Sequence, residues 1–137
     1  MRLQYLILAF ITNWLYGNFV VSGAVPYLSL PALGYDQRQR TGRGYAFGRI
    51  RGEDFLYAES EYRFSLSPKT NILGAVIFAN LSSTSSRANN IALLKYIWAA
   101  YGAGLRIMLD KESRTRLNFD AAMGTKFEFY IGIRETF

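Results

Sequence analysis

The sequence predicts an all-β protein, an antiparallel meander of about six long strands. Three observations favour this class. Apolar and polar residues alternate with a period of two over most of the chain, which places successive side chains on opposite faces of a strand. The 137 residues include ten Tyr, ten Phe and two Trp but only three Pro, a composition that suits strands. Short segments rich in turn-forming residues separate several of the alternating segments.

The N-terminal residues admit two interpretations. Residues 1–12 resemble a short signal peptide, because a basic residue precedes the apolar run 3–11 and the small residues 22–24 could form a cleavage site. Alternatively, residues 1–11 and 13–25 are strands of the same sheet as the rest of the chain. The sequence leaves both interpretations open.

Five further strands are predicted over residues 53–66, 71–81, 96–109, 114–123 and 126–137. The alternation is clearest in the last of them, where only Glu135 interrupts the apolar face. Two short connections, 67–70 and 110–113, are composed of turn-forming residues, and a two-residue link spans 124–125. The longest connection is the segment 26–52, which lies between the N-terminal candidate strand 13–25 and the predicted strand 53–66.

The predicted strands are long, and one of their two faces carries charges of both signs. Strands of about 10–14 residues exceed the 5–6 residues of ordinary soluble strands and suffice to cross a bilayer at a tilt. Long strands with an apolar and a charged face are typical of a transmembrane β-barrel with a polar lumen. A soluble sheet with one wet face produces the same alternation, so a soluble protein that binds an apolar ligand is one alternative function.

The composition excludes most familiar catalytic sites. The chain has no Cys and no His, and therefore no disulfide framework, thiol nucleophile, imidazole base or zinc site of the usual kinds. Its Ser, Asp and Glu residues form no recognisable catalytic constellation. We therefore expect neither an enzyme nor a bound cofactor or metal. The net charge of +6 arises from 16 Lys and Arg against 10 Asp and Glu, and it owes much to one loop.

This loop contains the most distinctive motif of the sequence. Its second half reads YDQRQRTGRGYAFGRIRG and includes five arginines. One interpretation is a solvated basic loop. A second is an RNA-binding module, because residues 43–47 match the start of the aromatic strand signature of RNA-recognition-motif domains and residues 10–13 could be the companion strand. The segment between these two motifs lacks the helical period that such a domain requires.

A third interpretation comes from several motifs that occur in a fixed order. The loop motif is followed by Glu61-Tyr62-Arg63-Phe64 and then by the strand motifs 74–78, 102–106, 116–120 and 127–137. In this order and spacing they resemble the C-terminal part of the β-barrel of the BamA/TamA superfamily of outer-membrane proteins, the bacterial surface antigen family. The resemblance covers residues 13–137. Its loop motif consists of Arg43, Gly44, Tyr45, Gly48, Arg49 and Arg51.

The resemblance implies where the chain acts and what surrounds it. It implies an outer-membrane location in a Gram-negative bacterium, contact with outer-membrane lipid, a parent role in the insertion or translocation of outer-membrane proteins, and no nucleic-acid partner. The last strand would carry a signal that the barrel assembly machinery reads by strand addition. The residues of that signal are Phe127, Phe129, Ile131, Gly132 and Phe137.

Six strands are fewer than the eight of the smallest bacterial single-chain barrels. We therefore expect this segment to need other strands of the same barrel, or additional chains, for closure. An open sheet leaves unpaired backbone groups that are costly in lipid. Autonomous insertion activity is not expected.

The resemblance also implies that the loop folds back into the barrel lumen. A guanidinium held there needs carboxylate or carbonyl partners, and its planar fork suits bidentate pairing. We expect Arg43 to pair with lumenal carboxylates, Gly44 to permit a tight turn and Tyr45 to pack against the wall. Asn80 stands where the family often has an acidic residue. The candidate lumenal partners are Glu59, Glu61, Arg63, Arg106, Asp120 and Glu128.

Overall fold

Six strands form one antiparallel sheet in the computed structural model, which describes residues 9–32, 43–45, 50–67 and 69–135. The order of the strands in the sheet is their order in the chain. The predicted all-β antiparallel meander is thereby confirmed. The strands are β1 (Ala9–Phe19), β2 (Asp54–Ser65), β3 (Leu73–Thr84), β4 (Trp98–Asp110), β5 (Thr115–Met123) and β6 (Phe127–Glu135).

The strand boundaries differ from the predicted ones mainly at β1 and β3. β1 is one continuous strand from Ala9 to Phe19, so it begins before the predicted strand 13–25 and ends six residues earlier. A short 3-10 turn, Tyr27–Ser29, follows it. β3 continues past the predicted end at residue 81, because residues 82–84 pair with residues 55–57 of β2. The hydroxyls of Ser82 and Ser83 donate to backbone carbonyls of Trp98 and Tyr96.

The connections divide the sheet into two distinct ends. The short connections 66–72 and 111–114 lie at one end, which we call the turn end. The long connections 20–53 and 85–97 lie at the other, the loop end, together with the tight turn 124–126. The β4–β5 ladder has a bulge between Met108 and Asp110, close to the turn end. Each charged residue of the sheet therefore lies nearer to the turn end or nearer to the loop end.

The two faces of the sheet have opposite chemistry. We call the face that the turn Arg43–Tyr45 covers the inner face, and the opposite one the outer face. Glu61 and Asn80 on the inner face are only 5% and 2% exposed. Leu15 and Ile131 on the outer face are 70% and 64% exposed. The charged face is therefore covered and the apolar face is open, which is the reverse of a water-soluble sheet.

The hydrophobic core lies between the loop and the inner face, near the loop end. It consists of the buried residues Tyr45, Ile50, Phe55, Tyr57 and Ala100. Trp14, Tyr16 and Trp98 pack against this cluster. Trp14 and Tyr57 make an edge-to-face contact with ring centroids 5.5 Å apart. Both tryptophans of the chain therefore report on the seating of the loop.

The sheet is open, with β1 and β6 as its two edges. Within the described ranges these two strands do not pair with each other. No helix in the part of the chain that the structure describes is long and apolar enough to span a membrane. The predicted residues Gly48, Arg49 and Phe137 lie outside the described residues, as do residues 1–8 of the signal-like segment.

The observed strand order differs from that of an RNA-recognition-motif domain. That interpretation requires residues 43–47 and 10–13 to be strands that present their aromatics together. Arg43, Gly44 and Tyr45 instead form a turn, and Phe10 and Asn13 in β1 pair with β2. A meander of six consecutive antiparallel strands has no crossover connection in which the helices of such a domain would lie.

Candidate functional site

The turn Arg43–Tyr45 lies directly on the inner face of the sheet. Gly44 has φ of 99°, a left-handed conformation that favours glycine. A Cβ atom at this position would lie 2.7 Å from the Cβ of Ala100, so β4 also requires glycine here. The backbone can therefore approach the sheet closely, and Arg43 and Tyr45 point to the same wall from the two sides of the turn.

The guanidinium of Arg43 is surrounded by three carboxylates from two strands. It forms a two-point ion pair with Glu59, in which Nε lies 3.3 Å from Oε2 and Nη2 bonds to Oε1. Nη2 also donates to Glu61 at 2.6 Å. Nη1 lies 3.5 Å from a carboxylate oxygen of Asp120 on β5. Three of the four carboxylates expected as partners of Arg43 thus surround it.

Phe78 and Asn80 of β3 complete the binding of Arg43. The guanidinium carbon lies 3.6 Å from the centroid of the Phe78 ring, a cation–π geometry that is favoured by desolvation. The side-chain amide of Asn80 donates to the backbone carbonyl of Arg43 at 3.0 Å. β3 therefore binds the backbone of the turn with an amide at the position where the resembled family often has an acid.

Burial and neighbouring negative charges shift the pKa of Arg43 in opposite directions. Burial alone lowers the pKa of Arg43, but the negative charges and hydrogen bonds of Glu59 and Glu61 outweigh it and raise the pKa above its ordinary value. The neighbouring carboxylates therefore stabilise the charged form of the guanidinium.

Each carboxylate around Arg43 has further donors of its own. Tyr57 donates to Glu59 at 2.7 Å. Arg63 forms an ion pair with Glu61, and Arg106 holds Asp120 through both of its terminal nitrogens. Each of the three carboxylates is thus bound both by Arg43 and by a second donor, and such pairing is what buried charges require.

The other two residues of the turn are anchored independently of Arg43. The backbone N–H of Gly44 donates to the hydroxyl of Tyr130 at 3.0 Å, and this hydroxyl donates to Glu128. The hydroxyl of Tyr45 donates to the carbonyl of Ala99 at 2.6 Å. Together with the contacts of Arg43, the turn is consequently bound to each of the five strands from β2 to β6.

Glycines on β4 and after β5 make room for this network. A Cβ at Gly102 would lie 2.5 Å from the Phe78 ring. A Cβ at Gly104 would overlap the Asp120 carboxylate, and one at Gly124 would overlap the carbonyl of Gly44. The absence of a side chain at these three glycines therefore leaves room for the Phe78 ring, the Asp120 carboxylate and the backbone of Gly44, respectively.

We expect Gly124→Ala to displace the turn. The added methyl group meets the Gly44 carbonyl and lies 3.1 Å from the Tyr45 ring, so the free energy of unfolding should fall by about 1–3 kcal/mol. Tryptophan emission should shift to longer wavelength, because the packing around Trp98 loosens. The matched control is Gly132→Ala, where a Cβ has no neighbour within 4 Å. Equal effects of the two substitutions would contradict the close approach of the turn.

The structure places the predicted site residues in three groups. Arg43, Glu59, Glu61 and Asp120 come together directly, whereas Glu128 reaches the turn only through the hydroxyl of Tyr130. Arg63 and Arg106 hold the carboxylates from outside. Arg51 lies elsewhere, where it donates to the carbonyl of Tyr27 at 2.9 Å and stacks on its ring. Phe127, Phe129 and Ile131 lie exposed on the outer face of β6, and Gly132 lies on its inner face.

Sequence reasoning missed Tyr130, Phe78, Asn80 as a donor, and the three glycines. Period-two alternation places Tyr130 on the same face as Glu128 and would have indicated its direction. Its contact with Gly44 spans 86 residues, a separation that no local pattern reveals.

Chemically, the arrangement is a set of carboxylates on the sheet that binds the guanidinium of Arg43 and so anchors the turn. No group of three or more acidic residues among the described positions is arranged to hold a metal ion. The chain has no significant match to a family model, to a curated protein or to a solved structure.

Proposed function

We propose that the chain is a wall segment of a transmembrane β-barrel in the outer membrane of a Gram-negative bacterium, with the loop motif folded into the lumen. The observation that carries this proposal is the reversed burial of the two faces. A sheet in water exposes its charged face, whereas here the turn Arg43–Tyr45 covers charged residues of the inner face and the apolar face is open. Lipid is the environment in which an exposed apolar sheet face is stable.

The exposed apolar residues are distributed over the whole outer face. Leu15, Tyr62, Ile77, Tyr101 and Ile133 represent five of the six strands, and each is at least 39% exposed. On β5 the outer face is represented by Met123, which is 40% exposed. An apolar patch of this breadth marks a binding surface or a membrane surface, and its extent across all the strands favours a membrane.

Strand length and connection length support the same proposal. The six strands have 9 to 13 residues, and a tilted strand needs about 9–11 residues to cross the hydrocarbon core. Outer-membrane barrels have short turns on the periplasmic side and longer loops outside. The turn end would accordingly face the periplasm and the loop end the exterior.

The proposed parent role is insertion or translocation of outer-membrane proteins, as in the BamA/TamA superfamily. Its support is the ordered set of motifs in the sequence together with the position of Arg43 on Glu61, the first residue of the Glu61-Tyr62-Arg63-Phe64 motif. The proposed partners are outer-membrane lipid, the barrel assembly machinery and further strands that close the barrel. The edges β1 and β6 need such strands, because unpaired backbone groups are costly in lipid.

Fractionation of a Gram-negative host that expresses the full chain tests the membrane proposal. We expect the chain in the outer-membrane fraction, resistant to alkaline carbonate and released by detergent. A matched variant, Arg114→Gln in the exposed β4–β5 turn, should fractionate identically, since it leaves the outer face unchanged. Recovery in the soluble fraction without detergent would overturn the proposal and favour the soluble alternative with an apolar ligand.

A further inference from the structure

A second charged region lies on the inner face, at the turn end and away from the turn Arg43–Tyr45. Arg63, Arg106 and Arg116, from β2, β4 and β5, line a common cavity of about 110 Å³. Ser65 and Asn71 are its other polar lining residues. No carboxylate is among the described residues that line this cavity. Arginines are thus the charged residues that line this cavity, in contrast to the acidic surroundings of Arg43.

The register of the strands produces this separation of charge. Across the sheet, Glu61 is in register with Phe78, and Arg63 with Val76. Gly74 and Arg106 form the next row, and Met108 and Arg116 the last. Arg134 of β6 is the register partner of Arg116. Towards the turn end, the row of Glu61 is followed by a mixed row with Arg63 and Asp120, and then by the rows of Arg106 and Arg116.

The three arginines differ in how fully their charge is neutralised. Arg63 is paired with Glu61 and Arg106 with Asp120. Arg116 is half-buried and has no hydrogen-bond or ion-pair partner among the described residues. The nearby carboxylate Asp110 accepts bonds from Ser113 and the backbone of Glu112. Among the described residues, the half-buried charge of Arg116 in this cavity therefore has no counter-ion.

We propose that this cavity binds an oxyanion, a phosphate or carboxylate group, with Arg116 as its principal ligand. A guanidinium presents five N–H donors in a planar fork that matches both groups. Arg116 offers its whole fork. Arg63 uses its Nε in the ion pair with Glu61, and its terminal nitrogens have no partner among the described residues. The anion would supply a negative charge beside Arg116 in a cavity that no described carboxylate lines.

Titration of the full chain in an uncharged detergent with inorganic phosphate tests this site, with binding followed by ³¹P NMR. We expect saturable binding that Arg116→Gln weakens by about tenfold or more, which corresponds to the loss of one charge-assisted interaction. Arg116→Lys should fall between the two, since it keeps the charge but loses the fork. The matched control Lys111→Gln removes a charge from the exposed neighbouring turn and should change the affinity by less than about twofold.

A second arm identifies the source of the anion. The chain is placed in bilayers of phosphatidylcholine with or without phosphatidylglycerol, and phosphate binding is measured again. Competition by phosphatidylglycerol that depends on Arg116 assigns the site to a lipid headgroup, and undiminished binding assigns it to a free anion. Absence of phosphate binding in detergent and in both bilayers, or equal binding by wild type and Arg116→Gln, would overturn the proposal. Folding of each variant is checked by circular dichroism and by the emission of the tryptophans, whose side chains Arg116 does not contact.

Discussion

Replacement of Arg43 by glutamine should destabilise the protein by about 3–5 kcal/mol, the cost of removing one partner from a buried ion pair. Glu59 and Glu61 would lose their shared counter-ion, and Asp120 would lose one of two. Glutamine also cannot reproduce the contact with the Phe78 ring. The free energy of unfolding is measured by denaturant titration in detergent micelles, with tryptophan emission as the probe because Trp14 and Trp98 pack against the core that includes Tyr45.

Two controls distinguish charge from shape in this experiment. Arg114→Gln, the same substitution in an exposed turn, should change the free energy by less than about 0.5 kcal/mol. The double variant Arg43→Gln, Glu59→Gln should recover part of the loss, because Glu59 loses the one cation that pairs with it among the described residues, whereas Glu61 keeps Arg63. A single variant as stable as the wild type would show that the ion pairs do not anchor the turn.

Ile77→Arg should destabilise the membrane-embedded protein by about 2–4 kcal/mol, the range for arginine at the bilayer midplane of a barrel. Ile77 lies near the middle of β3, faces outward and is 51% exposed. It is flanked by Tyr62 and Ala103 on the neighbouring strands, so the new charge would lie in hydrocarbon. The measurement is denaturant unfolding of the chain reconstituted in lipid bilayers.

The matched control uses the same substitution at Ile97, an exposed residue at the loop end directly before β4. Near the interface the cost should be only about 0–1 kcal/mol. If the outer face were in water, both substitutions would have small effects, because exposed surface changes usually stay within about 0.5 kcal/mol. A difference between the two sites therefore measures the lipid environment of the outer face.

The strands could be predicted well because alternation is a local property. In β2, β4, β5 and β6 the predicted segments match the observed strands within a few residues. The same parity places Glu59 and Glu61 on one face with Asp120, given antiparallel pairing. The prediction that Arg43 meets these carboxylates rested on the family resemblance and on the general need of a buried guanidinium for carboxylates, and the geometry brings the groups together.

The prediction was less complete where contacts depend on register. Tyr130 lies beside the turn because β6 places it in register with Asp120. Phe78 lies under Arg43 because β3 places it in register with Glu61. Register depends on all the cross-strand pairs of two strands together, so neither contact can be read from the residues near Arg43.

The sequence alone determined that the chain forms long antiparallel strands with one apolar and one charged face, because side-chain parity follows from the residues of each strand. Tertiary structure decided which face is covered. The alternation is the same in a soluble sheet and in a barrel wall, and only the docking of the turn Arg43–Tyr45 on the carboxylates distinguishes the faces. Tertiary structure also separated acidic from basic rows on the inner face, because the position of a charge along the sheet depends on the pairing of distant strands.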